Sequence, residues 1–339
     1  MATLTTRLTR LLGIKTPVVL APMAIPGSLD RTAIAVHKAG GFGFTGAGTD
    51  DATKIRIRLQ AVRTELNVPP SEPLPIGVGV LCWIADKPGN EEMVLAILAE
   101  HPKAIWLAFG TDLSKYVKQI REYNEKNGTS ILIVVSATSL EEALQAANEW
   151  KVDILNVQGT EAGGHLSASA PPLSVFLIAV VTALQSSQDL PILLGAGGIS
   201  TGAQVASLLT LGASGAVVGS RFLVTPEVNY APARVQALLD ADLKSTVISK
   251  AFDEVRDTMG WPEGISGRGL RTDIIKDEEE GASLEERVMR FHSGEGFRQV
   301  IYAGIGIALI KEVKSAEEIV MELHEDAVKA LRAAAQILL

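Results

Sequence analysis

A single cysteine, Cys82, stands in 339 residues. That excludes an intrachain disulfide framework and a cysteine cluster for a metal, and no metal is expected. An excess of positive charge is missing as well: 31 Lys and Arg face 39 Asp and Glu, for a net charge of −8. No strongly basic stretch is there to meet phosphates, so a nucleic-acid partner is not expected. The mild acidity serves solubility. Long apolar runs are also lacking. The longest, Val175–Leu184, is broken by Thr182 and is too short to span a bilayer, so no membrane partner is expected. Met1–Leu12 has basic residues but no apolar core, which gives no secretion signal and makes the cytoplasm the expected setting. The sequon Asn127–Gly128–Thr129 is then a chance match.

What the chain does have is a large apolar fraction, 47%, arranged with two alternating periods. Short apolar runs fall at Val18–Ala21, Gly43–Thr45, Ile76–Leu81, Ala104–Phe109, Ile131–Val135, Val152–Val157, Ile192–Leu194 and Ala216–Gly219. Amphipathic stretches of helical length separate them: Asp30–Ala39, Ala52–Leu66, Glu91–Glu100, Leu113–Asn127, Leu140–Glu149, Leu173–Gln185 and Thr201–Leu211. The strand runs are continuously apolar, as in a parallel sheet buried on both faces. Eight such units in about 220 residues is the size of a closed (β/α)8 barrel. A doubly wound open sheet is the alternative, because closure leaves no mark in the sequence.

The pattern changes after the eighth run. Residues Glu227–Arg298 are more polar, and no clear strand is visible in them. Helices are predicted at Pro232–Ser245 and Leu284–Phe291, and the charge run Lys276–Glu280 reads as a solvated turn. The expected organisation is an α/β barrel from residues 1–226 and 299–339, with a smaller, mostly helical insertion, 227–298, over its mouth. Ile301–Ile310 and Ala316–Leu338 are expected to complete the barrel's outer layer.

The stretch Asn156–Val157–Gln158–Gly159–Thr160–Glu161–Ala162–Gly163–Gly164–His165 carries most chemical information. It leaves the sixth strand run through a Gln, an acid, a glycine pair and a histidine. Loops after parallel strands are where α/β enzymes keep their chemistry, and paired glycines let backbone approach a ligand closely. Histidine there can take or give a proton near neutral pH. The plain alternative is a helix-start turn with an incidental surface histidine. Of the other histidines, His37 and His101 lie on or after helices, and His292 and His324 lie in the C-terminal third.

Two glycine turns follow the seventh and eighth strand runs: Gly195–Ala196–Gly197–Gly198–Ile199–Ser200 and Gly219–Ser220–Arg221–Phe222. In (β/α)8 barrels these two loops commonly make a phosphate site from backbone N–H groups. Gly41–Phe42–Gly43–Phe44–Thr45–Gly46 also fits the G-x-G-x-x-G pattern of dinucleotide folds. That pattern must follow a strand and open a helix, whereas this one follows a helix and is itself strand-like, so it reads as the second barrel strand. Ala21–Pro22–Met23 ends the first strand, where a methionine can face a flat ring or simply fill core.

Together these pieces resemble the nitronate monooxygenase family. The matching residues are Leu20–Met23, Gly40–Gly43, Gly77–Gly79, Gln158–His165, Gly195–Ile199 and Gly219–Phe222, in family order across roughly Leu8 to Leu223. The resemblance implies a barrel that binds FMN non-covalently beneath a smaller domain. It implies oxidation of alkyl nitronates, and of neutral nitroalkanes where a base is present, by dioxygen to a carbonyl compound and nitrite. By the same resemblance Ala21, Pro22, Met23, Gly79 and Ser136 border the flavin. Gln158 bonds the flavin or its ribityl chain, and Gly163 and Gly164 pass close by it. Gly197, Gly198, Gly219 and Ser220 hold the phosphate, His165 faces the substrate as acid or base, and Tyr302 borders the pocket. Gly79 and Ile305 depart from many bacterial members, which carry Asn and Gln there. Ser136 stands where longer polar residues are common. Three other readings share these turns: an FMN-dependent enoyl-acyl carrier protein reductase, a flavin-free phosphate-ligand barrel of isomerase or lyase type, and a non-catalytic flavin-binding barrel.

Overall fold

Eight apolar runs close on one another as a cylinder. The computed structural model describes residues 3–24, 29–185 and 189–337. Its strands, in chain order, are β1 (Val18–Leu20), β2 (Phe42–Gly46), β3 (Leu74–Leu81), β4 (Pro102–Ala108), β5 (Leu132–Ala137), β6 (Ile154–Gln158), β7 (Gly164–Ser167), β8 (Ile192–Ala196), β9 (Gly215–Val218), β10 (Thr246–Ser249) and β11 (Ile265–Leu270). The barrel order is β1-β2-β3-β4-β5-β6-β8-β9, with β9 pairing back in parallel to β1. Closure rules out the open sheet. All seven predicted intervening helices are present within a few residues of their expected ends.

The continuous apolar runs follow from two buried faces. One face of each strand fills the barrel interior, where Val19, Phe42, Phe44, Trp106, Val134, Ile154, Leu194 and Val217 pack together. Phe44 meets Phe42 and Trp106 edge to face, with centroids 5.1 and 5.0 Å apart. The other face packs under the helices through residues such as Leu20, Ile76, Ile105, Ile133, Leu155 and Val218. Gly43 belongs to this layering. A Cβ there would collide with the backbone of Ala33 in helix Leu29–Lys38, so the glycine serves helix–strand packing and not a dinucleotide.

A short helix, Arg7–Leu12, plugs the N-terminal end. Thr6 and Thr9 form a reciprocal capping box at its start, and Gly13 ends it in the left-handed conformation. Its Leu8 is fully buried and joins the interior cluster beside Gly215 at the start of β9. Only the C-terminal end of the barrel is left for a ligand. Helix Ala316–Gln336 buries Ile319, Val320, Leu323 and Ala327 against the outer layer, as expected for that segment.

Four expectations are corrected. Segment 227–298 holds two strands, β10 and β11, which join β7 in an antiparallel sheet ordered β10-β11-β7. Beside them stand helices Pro232–Leu239, Ala251–Glu254, Asp273–Glu279 and Leu284–Ser293. The β11 sequence Ile-Ser-Gly-Arg-Gly-Leu hides its alternation because two positions on one face are glycine. A Cβ on Gly267 would come to 2.6 Å from the Tyr302 ring, and one on Gly269 to 2.8 Å from the Ile301 carbonyl. The second correction shortens the helix predicted to run to Ser245, which stops at Leu239. Third, Lys276–Glu280 falls largely within helix Asp273–Glu279 and is not a solvated turn. Asp277 is buried there and accepts from Arg290 Nη1 at 2.7 Å and Arg298 Nε at 2.7 Å. Fourth, Ile301–Ile310 does not complete the outer layer. Ile301, Ala303, Ile307 and Ile310 pack with Leu223, Val224 and Leu238 between barrel and small sheet. Among the described residues no helix is long and apolar enough to cross a membrane.

Candidate active site

At the C-terminal end of the barrel lies a cavity of about 1140 Å³. Every residue singled out from the sequence lines it: Ala21, Pro22, Met23, Gly79, Ser136, Gln158, Gly163, Gly164, His165, Gly197, Gly198, Gly219, Ser220 and Tyr302. They come from the ends of six barrel strands, from β7 of the small sheet and from the segment 301–310, so barrel closure and the pairing of β7 with β11 together gather them.

The barrel side is a floor of polar groups between glycines. Ser136 Oγ accepts from Trp106 Nε1 at 2.9 Å and from Asn156 Nδ2 at 3.0 Å. Asn156 is fully buried, and its Oδ1 has no hydrogen-bond donor among the described residues. Gln158 Nε2 donates to the His165 carbonyl at 3.0 Å, tying the end of β6 to β7. A Cβ on Gly79 would run into the ring of Pro22, so the glycine in β3 is what lets Pro22 sit over the floor.

The two glycine turns after β8 and β9 have the backbone that a phosphate site needs. Gly198 has φ +67°, a conformation costly for any other residue, and Gly197 precedes it at φ +135°. Both turns are braced by the returning segment. Ser220 Oγ accepts from Gly304 N at 2.8 Å, and Ser200 Oγ donates to the Gly306 carbonyl at 2.9 Å. Gly163 is pressed so closely on Gly304 that a Cβ there would strike its backbone.

Within Gln158–His165 the residues divide between structure and chemistry. The Glu161 carboxylate accepts from Leu173 N at 3.0 Å, at the start of helix Leu173–Leu184. The Thr160 carbonyl accepts from Arg268 Nη2 at 3.0 Å; burial lowers the pKa of that guanidinium against the opposing charge of Glu161. His165 is not on a free loop. It is the second residue of β7, opposite Gly267 of β11, so a strand ladder sets its place.

Two side chains without any local sequence signal hold His165. Its ring stacks on Trp261, centroids 3.4 Å apart and planes within 12°. Its Nε2 lies 2.9 Å from Asp253 Oδ2 and 3.1 Å from Oδ1. Asp253, at 3% exposure, also accepts from Thr258 Oγ1 at 2.9 Å and from Tyr302 Oη at 3.1 Å. Burial works against the Asp253 charge, yet the bonds from His165, Thr258 and Tyr302 hold its pKa below the ordinary carboxylate value. The Tyr302 phenol is pushed the other way, by burial first and then by the Asp253 charge. Asp253 and Trp261 stand about ninety residues after His165 in an otherwise polar stretch; nothing nearby marks them. Asn156 stood inside the informative tract and could have been named from its burial in a strand run. Among the described residues no His, Cys, Asp and Glu cluster could hold a metal.

Comparison with known proteins supplies the chemistry. The family profile described as nitronate monooxygenase matches residues 5–326. A nitronate monooxygenase of Neurospora crassa is 31% identical, over 94% of this chain and 91% of its own length. One from Metarhizium robertsii is also 31% identical, over 92% and 91%. The fold matches that of FabK from Thermotoga maritima, with TM-score 0.78, 23% identity and 99% of each chain covered. It also matches a nitroalkane oxidase of Streptomyces ansochromogenes, with TM-score 0.75, 24% identity, and 96% and 99% covered.

Proposed function

The chain belongs to the nitronate monooxygenase family and is an enzyme of that activity; we propose that its flavin is FMN, held non-covalently in the barrel cavity, and that His165 extends its range to neutral nitroalkanes. The observation that carries this reading is one cavity lined by the glycine turns after β8 and β9, by Asn156 and by His165.

A flavin, which the family implies, fits the residues present. The turns at Gly197–Gly198 and Gly219–Ser220 are adjacent and offer room for one phosphate, and a second nucleotide site of the G-x-G-x-x-G type has been accounted for as β2. The orphaned Asn156 Oδ1 is an acceptor of the kind a flavin ring N–H would satisfy. Gly79 lets the Pro22 ring lie over the floor, as a surface against which a flat ring would rest. Bound there, the flavin would take an electron from the nitronate, with dioxygen as the oxidant.

The chain's own residues would do the rest. A preformed nitronate needs no base, and the site has only to hold it. A neutral nitroalkane must first lose its α-proton, and the His165 imidazole in the cavity is the group that would take it. The products are a carbonyl compound and nitrite. The test is a visible spectrum of the purified protein, mass spectrometry of the released cofactor, and anaerobic titration. Reduction by an alkyl nitronate but not by NADH, with FMN released on denaturation, is expected. Release of FAD would overturn the cofactor assignment, and reduction by NADH alone would favour an enoyl reductase.

A further inference from the structure

We propose that Asp253 is a positioning residue: it fixes His165 with the proton on Nε2, which makes Nδ1 the atom that receives the substrate proton. This rests on His165 acting as a base. An ionised carboxylate can only accept hydrogen bonds, so Nε2 beside it must be the N–H nitrogen. In the neutral ring the lone pair then lies on Nδ1.

Asp253 is itself held. Thr258 Oγ1 and Tyr302 Oη both donate to Oδ1, at 2.9 and 3.1 Å, which fixes the carboxylate plane and leaves Oδ2 as the nearer contact of Nε2. Trp261 fixes the plane of the imidazole from the side. The proton transfer balances within this group. The substrate C–H bond breaks, its proton goes to Nδ1, and the electron pair stays on the nitro compound as the nitronate. The imidazolium so formed keeps its Nε2–H on Asp253, whose negative charge faces the new positive one. The proton then leaves to solvent.

Asp253 also joins helix Ala251–Glu254 to β7 and to Tyr302, so a purely structural role must be separable. The experiment uses the flavin-loaded enzyme and compares kcat/KM for a neutral nitroalkane and for its preformed nitronate. In Asp253→Asn the nitroalkane value should fall by a factor on the order of 10²–10³, while the nitronate value falls less than about tenfold. Asp253→Glu, which keeps the carboxylate, should recover part of that loss. In enzyme with ¹⁵N-labelled histidine, Nε2 should carry the proton in the wild type and lose that preference in Asp253→Asn. Should Asp253→Asn fail to hold flavin, the double variant Thr258→Val/Tyr302→Phe keeps the carboxylate but frees it to turn. It should show the same selectivity in smaller degree. Equal losses on the two substrates, or an unchanged tautomer, overturn the proposal. His165→Asn separates it from the reading beneath it. Selective loss there with none in Asp253→Asn sinks the Asp253 role alone. No selective loss in His165→Asn, or a wild type inert to nitroalkanes, sinks both.

Discussion

The imidazole of His165 lies flat on the indole of Trp261, 3.4 Å between centroids, and this contact joins a strand beside the barrel to a loop of the inserted segment. Trp261 is in turn placed by Phe109 and Trp83, at 5.4 and 5.1 Å. Trp261→Leu removes the ring face and leaves Asp253 as the main restraint on His165. An aromatic pair contributes about 0.5–1.5 kcal/mol beyond area, so nitroalkane kcat/KM should drop up to roughly tenfold. Flavin content, read from the visible spectrum, should stay at the wild-type level.

Gly198→Val should empty the flavin site and spare the fold. The substitution asks a β-branched residue to adopt φ +67° and sets a Cβ 3.1 Å from that of Glu161. Flavin absorbance beside a far-ultraviolet dichroism spectrum checks both halves. Full occupancy would put the phosphate elsewhere.

Gly79→Asn should not be neutral. The new Cβ would meet the Pro22 ring, which has to move off the cavity floor. Overpacking of this kind costs about 1–3 kcal/mol, visible as a lower urea midpoint. Flavin should bind more weakly by equilibrium dialysis. Gly79→Asn together with Pro22→Gly should recover part of the stability, because the Pro22 Cβ in the collision is then gone.

The lobe carrying β10 and β11 should be the acid-sensitive part. Hydrogen bonds from Arg298 and then Arg290 hold the Asp277 carboxyl down to about 2, from an ordinary 3.8. A depressed carboxyl stabilises the fold above its unfolded value, and that contribution is lost as pH falls through the folded one. Stability tied to Asp277 is therefore complete above pH 3.8 and fades toward about 2. Urea midpoints measured from pH 6 to 2.5 should fall steeply at the acid end in the wild type and less steeply in Asp277→Asn, which starts lower. Parallel curves would remove Asp277 from the account.

The barrel could be found in the sequence because its strands are buried on both faces and so read as unbroken apolar runs. Val134–Val135 and Leu193–Leu194 need no context to be placed. The glycine turns that line the cavity were legible for a related reason: they follow those strands directly. The small sheet was not, because β7 (Gly-His-Leu-Ser) and β10 (Thr-Val-Ile-Ser) mix polar with apolar residues and β11 has glycine where Tyr302 and Ile301 press in. Asp253 and Trp261 were invisible for a different cause. Each acquires its role only when a strand ladder formed by residues 265–270 brings the inserted segment over His165. The Lys276–Glu280 run misled because charge pattern alone does not reveal that Asp277 turns inward to two arginines.

The pairing of β7 with β11 divides the lining of the cavity between the barrel and the small sheet. The glycine turns belong to the barrel, while His165, Asp253, Trp261 and Tyr302 hang on the small sheet and its neighbours. Only residues 159–163 link the end of β6 to β7. A tether of five residues makes the distance from His165 to the glycine turns a property of how the small sheet is seated on the barrel. Because Gly304 also donates to Ser220 in one of the glycine turns, loosening its close contact with Gly163 should lower turnover and flavin content together.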